Sequence, residues 1–404
     1  MKGKLIGVIG LILLGSVWSC SKNEPTLDEQ QFELITEIYP EEGGTLTPNT
    51  GNFNGNTLLS LYARPHFGWI FDHWEGSIVG NQNPFPVYFF RPVAVRAVFV
   101  RDTFQIRTLA GGNGKGNEPN QFSYPTGIAM DQGGALFVSD MHNHRIQRFL
   151  PGTSEGVTIL GGNGFGFGAN QLDEPGKIVL DEAGNLYIAD TGNNRIQKWV
   201  RGTSEGVTVA GGKGWGNGLN KLDQPFGITL DKIGNLYITE LENHRVMRWK
   251  PYAEEGEVIA GGNGEGNAAD QLAYPLGVAV DEDLNVYVAD SYNHRIQLFT
   301  PGATAGITLL SAEDLGSPQE FNYFSGIKLG KNKQLYLSDY QKRRVLQFDL
   351  TTKAVQIVAG DHGDGGNTDQ LAHPYQLDVN PLGDIIIADA KNNRIQKWMP
   401  PELQ

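Results

Sequence analysis

The sequence predicts an all-β protein built from repeated sheets, and three observations carry that reading. First, the motif Asp-x-x-Asn-x-Arg recurs six times. Its acids are Asp140, Asp190, Glu240, Asp290, Asp339 and Asp389, and its arginines are Arg145, Arg195, Arg245, Arg295, Arg344 and Arg394, spaced by 50, 50, 50, 49 and 50 residues. A fixed period of this length marks supersecondary units that stack on their neighbours. Second, each period holds four short strand-like runs divided by turn residues, with no long helical pattern. In the second unit these are Ile178–Leu180, Leu186–Ala189, Arg195–Trp199 and Val207–Ala210. Third, 53 of the 404 residues are glycine and one is cysteine, so turns are frequent and neither a disulfide framework nor a multi-cysteine zinc module supports the fold. Six units of four antiparallel strands predict a six-bladed β-propeller preceded by a small β-rich domain.

The chain opens with a targeting segment, residues 1–20. Lys2 and Lys4 precede an apolar run from Leu5 to Leu14, and Gly15-Ser16-Val17-Trp18-Ser19-Cys20 follows. The run is too short to span a bilayer and has the layout of a secretory signal. The segment resembles a bacterial lipoprotein signal. That resemblance implies lipidation of Cys20 and places the protein in the cell envelope, anchored to a bacterial membrane, the outer membrane first among candidates. Residues 21–31 are polar and read as a flexible tether.

Residues 32–101 lie outside the fifty-residue period and alternate apolar with polar positions in short runs. Gly44-Thr45-Leu46-Thr47-Pro48, then Ala63 to Trp69, then Phe71-Asp72-His73-Trp74-Glu75-Gly76, and finally Ala97 to Val100 resemble the divergent internalin-type B-repeat of bacterial surface proteins. A spacer or adhesive module is implied. Trp69 and Trp74 are expected in its core, because so small a domain needs large apolar side chains.

Residues 102–400 carry the propeller. Phe104 to Gly111 has the character of a fourth strand yet precedes the first unit, and the last run, Arg394 to Met399, has that of a third. The N-terminal strand is therefore expected to complete the last blade and leave no open sheet edge. Gly-Asn-Leu-Tyr-Ile-Ala-Asp followed by Asn-x-Arg-Ile-Gln-Lys-Trp in the second unit, with Asn143 to Gln147 and Asn293 to Gln297, resembles the NHL repeat. The fifth unit departs most, with Phe324 for the first-strand Pro and Lys342 for the motif Asn. The resemblance implies the propeller fold and little about function, because NHL propellers occur in ubiquitin ligases, sensor kinases, lyases and surface proteins.

Features that repeat in every unit read as scaffold. The motif acid is expected to accept from turn amides and the arginine to lock the turn to a neighbouring blade. Phe149, Trp199, Trp249, Phe299, Phe348 and Trp398 share one strand position and are expected to pack between blades. His144, His244 and His294 also share a position. Sheets about 10 Å apart do not bring them within the roughly 2.0–2.1 Å zinc–nitrogen distance, so no metal and no cofactor is expected. Gly152-Thr153-Ser154-Glu155-Gly156 has the letters of a nucleophile elbow but joins two strands, and the Gly112 to Gly116 run has no helix behind it to cradle phosphate.

Function is expected where the units differ. One loop position reads Lys115, Phe165, Trp215, Glu265 and Asp364, and flanking glycines are expected to push it outward, with Phe165, Phe167 and Trp215 as an aromatic arc on the rim. The residue before the first-strand Pro forms a second variable ring at the channel mouth, Tyr124, Glu174, Gln224, Tyr274, Tyr323 and His373. Lys177 and Gln376 interrupt a position that is otherwise glycine.

The formal net charge is −13, and loss of Lys2 and Lys4 with the signal takes it to −15. Such a chain lacks the basic stripe that contacts nucleic-acid phosphates. These residues suggest a membrane-anchored binding protein whose propeller rim captures a protein, peptide or glycan. One alternative is a metal-dependent lyase or lactonase-like enzyme at the channel, for which only Glu174 and His373, with Lys177 near, offer reactive groups. The other is a structural subunit of an outer-membrane assembly. The sequence leaves the oligomeric state open.

Overall fold

The structure, a computed structural model, describes residues 30–65, 69–101, 106–315, 323–380 and 382–399. Cys20, the signal segment, most of the tether and the centre of the fifth unit's loop lie outside these residues. No helix among the described residues is long and apolar enough to cross a membrane.

The fold is all-β and forms two compact units, a small one within residues 30–98 and a large one that carries the repeats. The small unit is organised around strand Gln31–Tyr39, which pairs in parallel with Val93–Arg101 from Leu34↔Val93 to Tyr39↔Val98. Alternation along these strands buries Leu34, Val93, Val95 and Ala97. Trp74 is fully buried beside them and its indole N–H donates to the Gln82 carbonyl at 2.8 Å, so it is core as the sequence suggests. Trp69 is only half-buried.

The large unit contains six four-stranded sheets, one for each motif. In the second, Pro175–Leu180, Leu186–Asp190, Arg195–Trp199 and Val207–Gly211 pair antiparallel in chain order. The sixth holds Pro374–Val379, Ile385–Asp389 and Arg394–Trp398, and its fourth strand is Ile106–Gly111, in register from Arg394↔Gly111 to Trp398↔Ile106. The six first strands, Pro125–Met130, Pro175–Leu180, Pro225–Leu230, Pro275–Val280, Phe324–Leu329 and Pro374–Val379, lie side by side in that order, and the sixth also lies against the first. Their backbones approach closely. A Cβ added to Gly227 would stand 2.1 Å from the Leu276 carbonyl oxygen, which explains the near-constant glycine there.

Second strands are buried on both faces, so they read as continuous apolar runs such as Leu186-Tyr187-Ile188-Ala189. The repeated aromatic works between sheets: Trp199 packs with Phe137, Ile146 and Leu160 of the first sheet and with Ile178 and Ile188 of the second. At about 25 cal/mol per Å² of buried apolar surface, each such ring is worth several kcal/mol.

The motif turn is a buried polar knot. Asp140 accepts from the Ser123 amide at 2.6 Å, from Asn143 Nδ2 at 2.7 Å and from Arg145 Nε at 2.7 Å. The Arg145 guanidinium then donates to the carbonyls of Asn117, Glu118 and Gln121. The arginine therefore grips the long loop leading into its own sheet instead of bridging to a neighbouring one, because its planar fork of donors faces the loop carbonyls. Asn143 Nδ2 also donates to the Gly116 carbonyl at 2.8 Å, which ties the long loop to the motif turn.

Candidate functional site

Five of the long loops are pinned by a fully buried apolar anchor, Phe122, Leu172, Leu222, Leu272 or Leu371. In four of these loops the variable residue pairs as a bridge to its anchor: Lys115↔Phe122, Phe165↔Leu172, Glu265↔Leu272 and Asp364↔Leu371. With the backbone held this way, the side chains project. Phe165, Phe167 and Trp215 are 71, 76 and 74% exposed, so they do not fold back as a loop core. Among the described residues, the ring contact made by the three is Phe165 with His144 at 5.8 Å. Lys115 and Glu265 are exposed, while Asp364 is held by Lys391 at 2.9 Å and Arg343 at 3.4 Å.

The ring before the first strands is set by backbone geometry. Tyr124, Glu174, Gln224, Tyr274 and His373 have φ of 61, 46, 46, 46 and 55°, a left-handed conformation that is costly for non-glycine residues and more so before proline. The preceding unit compensates. Tyr124 N donates to Asn393 Oδ1 at 2.9 Å, Glu174 N to His144 Nδ1 at 3.1 Å, Gln224 N to Asn194 Oδ1 at 2.8 Å and Tyr274 N to His244 Nδ1 at 3.2 Å. Asn and His alternate at this motif position because each presents an acceptor on the atom after Cγ. His144 and His244 are thus latches between successive units. Among the described residues no group of three or more His, Cys, Asp or Glu lies close enough to hold a metal.

Within this ring the structure brings together what the sequence leaves separate. Tyr274 contacts Tyr292 at 4.5 Å, Tyr292 contacts Tyr323 at 5.6 Å, and Tyr323 contacts Tyr340 at 5.6 Å. Tyr340 stacks on His373 at 4.3 Å and meets Tyr375 edge-on at 5.6 Å. The hydroxyl network closes the arc: Tyr340 Oη lies 2.9 Å from His373 Nδ1 and 3.1 Å from Tyr124 Oη, and Tyr124 stacks on His142 at 5.2 Å. Tyr375 is the hub, in ring contact with Tyr124 at 6.0 Å and with Phe226 at 5.3 Å. A cavity of about 440 Å³ opens over this surface, lined by Tyr292, His294, Tyr323, Tyr340, Gln341 and Tyr375. Glu174 and Gln224 are exposed and outside the cavity lining.

The electrostatics keep the mouth neutral. Burial pushes the hydroxyls of Tyr124, Tyr323 and Tyr375 far above the usual phenol range. Burial first, and the Lys391 charge second, hold the His373 imidazole below its ordinary value, so it is neutral at pH 7. Among the described residues no acid, lysine or arginine lines the cavity.

Tyr292, Tyr340 and Tyr375 were not among the sequence candidates. The first two occupy the variable positions inside the motif turn, and Tyr375 the position after the first-strand proline, where Thr126, Gly176, Phe226, Leu276 and Ser325 stand in the other units. The signal was variation within a motif whose fixed residues are scaffold. Gln376 is fully buried and donates to the Ser325 carbonyl at 3.4 Å. Lys177, also buried, lines a different cavity that shares no residue with the mouth.

Comparison with known families agrees with the turn and strand geometry just described. Four of the units are NHL repeats. They span residues 122–149, 172–199, 272–299 and 371–398, and a Divergent InlB B-repeat domain covers residues 34–103. No curated protein matches the chain. Solved structures similar to these NHL sheets include a protein of unknown function from Bacteroides thetaiotaomicron, 15% identical with a TM-score of 0.57, covering 89% of this chain and 99% of its own. An auxiliary nutrient binding protein from the same organism is 14% identical with a TM-score of 0.53, covering 91% and 97%. A gluconolactonase from Xanthomonas campestris is 14% identical with a TM-score of 0.54, covering 73% and 89%. At these identities the likeness is one of propeller-like fold.

Proposed function

We propose that the six sheets are the blades of a six-bladed propeller completed by strand Ile106–Gly111, and that the protein is a binding protein whose tyrosine-lined mouth takes a glycan. The observation that carries this reading is the uncharged aromatic surface around the 440 Å³ cavity, floored by Tyr375. A tyrosine ring offers an apolar face to the C–H face of a sugar and a hydroxyl to its oxygens. A cavity of this size with convergent polar tips is in the range of small-ligand sites. An anionic or cationic ligand would find no opposite charge among the described residues of the lining. The resemblance in fold to an auxiliary nutrient binding protein supports the same direction. The lipoprotein-like segment ending in Cys20 would hold the protein at a bacterial envelope membrane, with residues 21–31 as a tether and the exposed Phe165, Phe167 and Trp215 as an outer platform for longer ligands or a protein partner.

The test is calorimetric titration of residues 21–404 with a panel of neutral oligosaccharides and a panel of peptides, beside the Tyr292→Ala/Tyr323→Ala variant. Saturable binding of an oligosaccharide, weakened tenfold or more in the variant, supports the reading. Binding of peptides alone, or equal sugar binding by both proteins, overturns it.

A further inference from the structure

The second cavity, about 340 Å³, lies among the first strands and shares no lining residue with the mouth. Apolar side chains such as Met130, Leu180, Leu230, Val280 and Leu329 line it, together with polar groups that make up the larger part of its exposed surface. Three charged residues enter it, Lys177, Lys328 and Asp378. Lys328 Nζ and Asp378 Oδ1 pair at 2.7 Å, which leaves the second lysine over. Lys177 is 7% exposed, and no hydrogen bond or ion pair joins its Nζ to another described residue. It replaces glycine at a position where four of the six first strands keep it, Gly127, Gly227, Gly277 and Gly326. A buried cation without a partner is a costly arrangement that structural need alone does not supply.

We propose that Lys177 is a reactive-amine site, condensing reversibly with the carbonyl group of a small aldehyde or ketone admitted to this cavity. The amine is prepared in two ways that activate a lysine, burial of the side chain and a neighbouring cation. Burial first and the Lys328 charge second lower its pKa to about 7, so a large share is the free base at neutral pH. In the condensation the Nζ lone pair forms a bond to the carbonyl carbon, and a proton passes from nitrogen to the carbonyl oxygen to give the carbinolamine. That oxygen then leaves as water with a second proton from the nitrogen, and the C=N bond of the imine forms. No oxidant or reductant takes part, and hydrolysis returns the amine.

The test uses propionaldehyde as probe on residues 21–404, with cyanoborohydride to trap any imine as a secondary amine and peptide mass spectrometry to locate it. At pH 7 the site should acquire the alkyl mark at least tenfold faster at Lys177 than at Lys232, an exposed lysine. In Lys328→Met, which removes the neighbouring cation, marking of Lys177 at pH 7 should slow severalfold and recover by pH 9. Circular dichroism melts confirm that the variant is folded. Marking of Lys177 no faster than of Lys232 in the unaltered protein overturns the proposal, as does an unchanged rate in folded Lys328→Met.

Discussion

Phe226 and Tyr375 stand three units apart in the chain, on the third and sixth first strands, yet their rings meet at 5.3 Å. Tyr375 lines the tyrosine mouth, and neither ring lines the cavity around Lys177. Phe226 is 2% exposed, so Phe226→Ala should cost about 3–5 kcal/mol, the range for a buried aromatic truncated in a packed core. It should also let Tyr375 drop from the mouth floor. The expected outcome is a lower denaturation midpoint together with weaker oligosaccharide binding. Phe226→Leu, which fills most of the space, should restore the midpoint more than the binding.

Mouth and rim make separable predictions. Phe165→Ala/Trp215→Ala removes side chains 71 and 74% exposed and should leave stability within about 0.5 kcal/mol. It should also leave short-oligosaccharide affinity unchanged, whereas Tyr292→Ala/Tyr323→Ala should reduce that affinity tenfold or more. The reverse pattern in a calorimetric comparison would move the site outward to the rim.

The mouth should resist mild acid. His373 Nδ1 lies 2.9 Å from Tyr340 Oη, and burial with Lys391, against the opposing pull of Asp364, holds the imidazole below its ordinary 6.5. A base with a depressed folded pKa contributes stability that is present above its unfolded value and lost as pH falls through its folded value. Binding and midpoint should therefore hold down to pH 6.5 and decline below it. Lys391→Met moves the folded imidazole back towards its ordinary value. In that variant the midpoint should fall less with acid, while binding should begin to fail at a higher pH.

How much of this was legible beforehand depends on what kind of residue carries it. The repeat, the strands and the pairing of Ile106–Gly111 with the last sheet followed from period and alternation, because those patterns reflect burial that every unit shares. The outward pointing of Phe165, Phe167 and Trp215 also followed, since glycines and an apolar anchor fix the loop. The tyrosine mouth did not. Tyr292, Tyr340 and Tyr375 are separated by tens of residues and converge only because first strands and motif turns face a common space. Lys177 illustrates the same limit. Its departure from glycine was visible, but that it lines a cavity apart from the tyrosines depends on how the first strands converge.

The latch between units predicts an unusual tolerance. His244 Nδ1 accepts from Tyr274 N at 3.2 Å, as Asn194 Oδ1 accepts from Gln224 N at 2.8 Å. His244→Asn keeps an acceptor in place and should be nearly neutral. His244→Leu removes it and should cost about 1 kcal/mol, leaving a strained backbone with an unmade hydrogen bond. Equal midpoints for the two variants in urea would show that the repeated histidines are retained for another reason.

The fifth motif supplies a prediction about pH. In the other five units the acid accepts from a motif asparagine, as Asp290 does from Asn293 at 2.8 Å, and Arg295 lies 2.7 Å away. Asp339 faces Lys342 at that position, its arginine is at 3.1 Å, and burial outweighs Arg344 to push its carboxyl up to about 6. A carboxyl with a raised folded pKa contributes stability fully below its ordinary value of 3.8 and loses that contribution as pH rises through about 6. The loss across that window amounts to about 3 kcal/mol. Lys342→Asn supplies the missing side-chain donor and should raise stability at pH 7.5 by about 1.5–3 kcal/mol, the worth of a hydrogen bond to a charged group. At pH 4, where the carboxyl is largely protonated in both proteins, the gain should shrink towards zero. Urea midpoints of the two proteins at pH 4, 6 and 7.5 check this, and a gain that does not grow with pH would mean that Asp339 is already satisfied by its arginine.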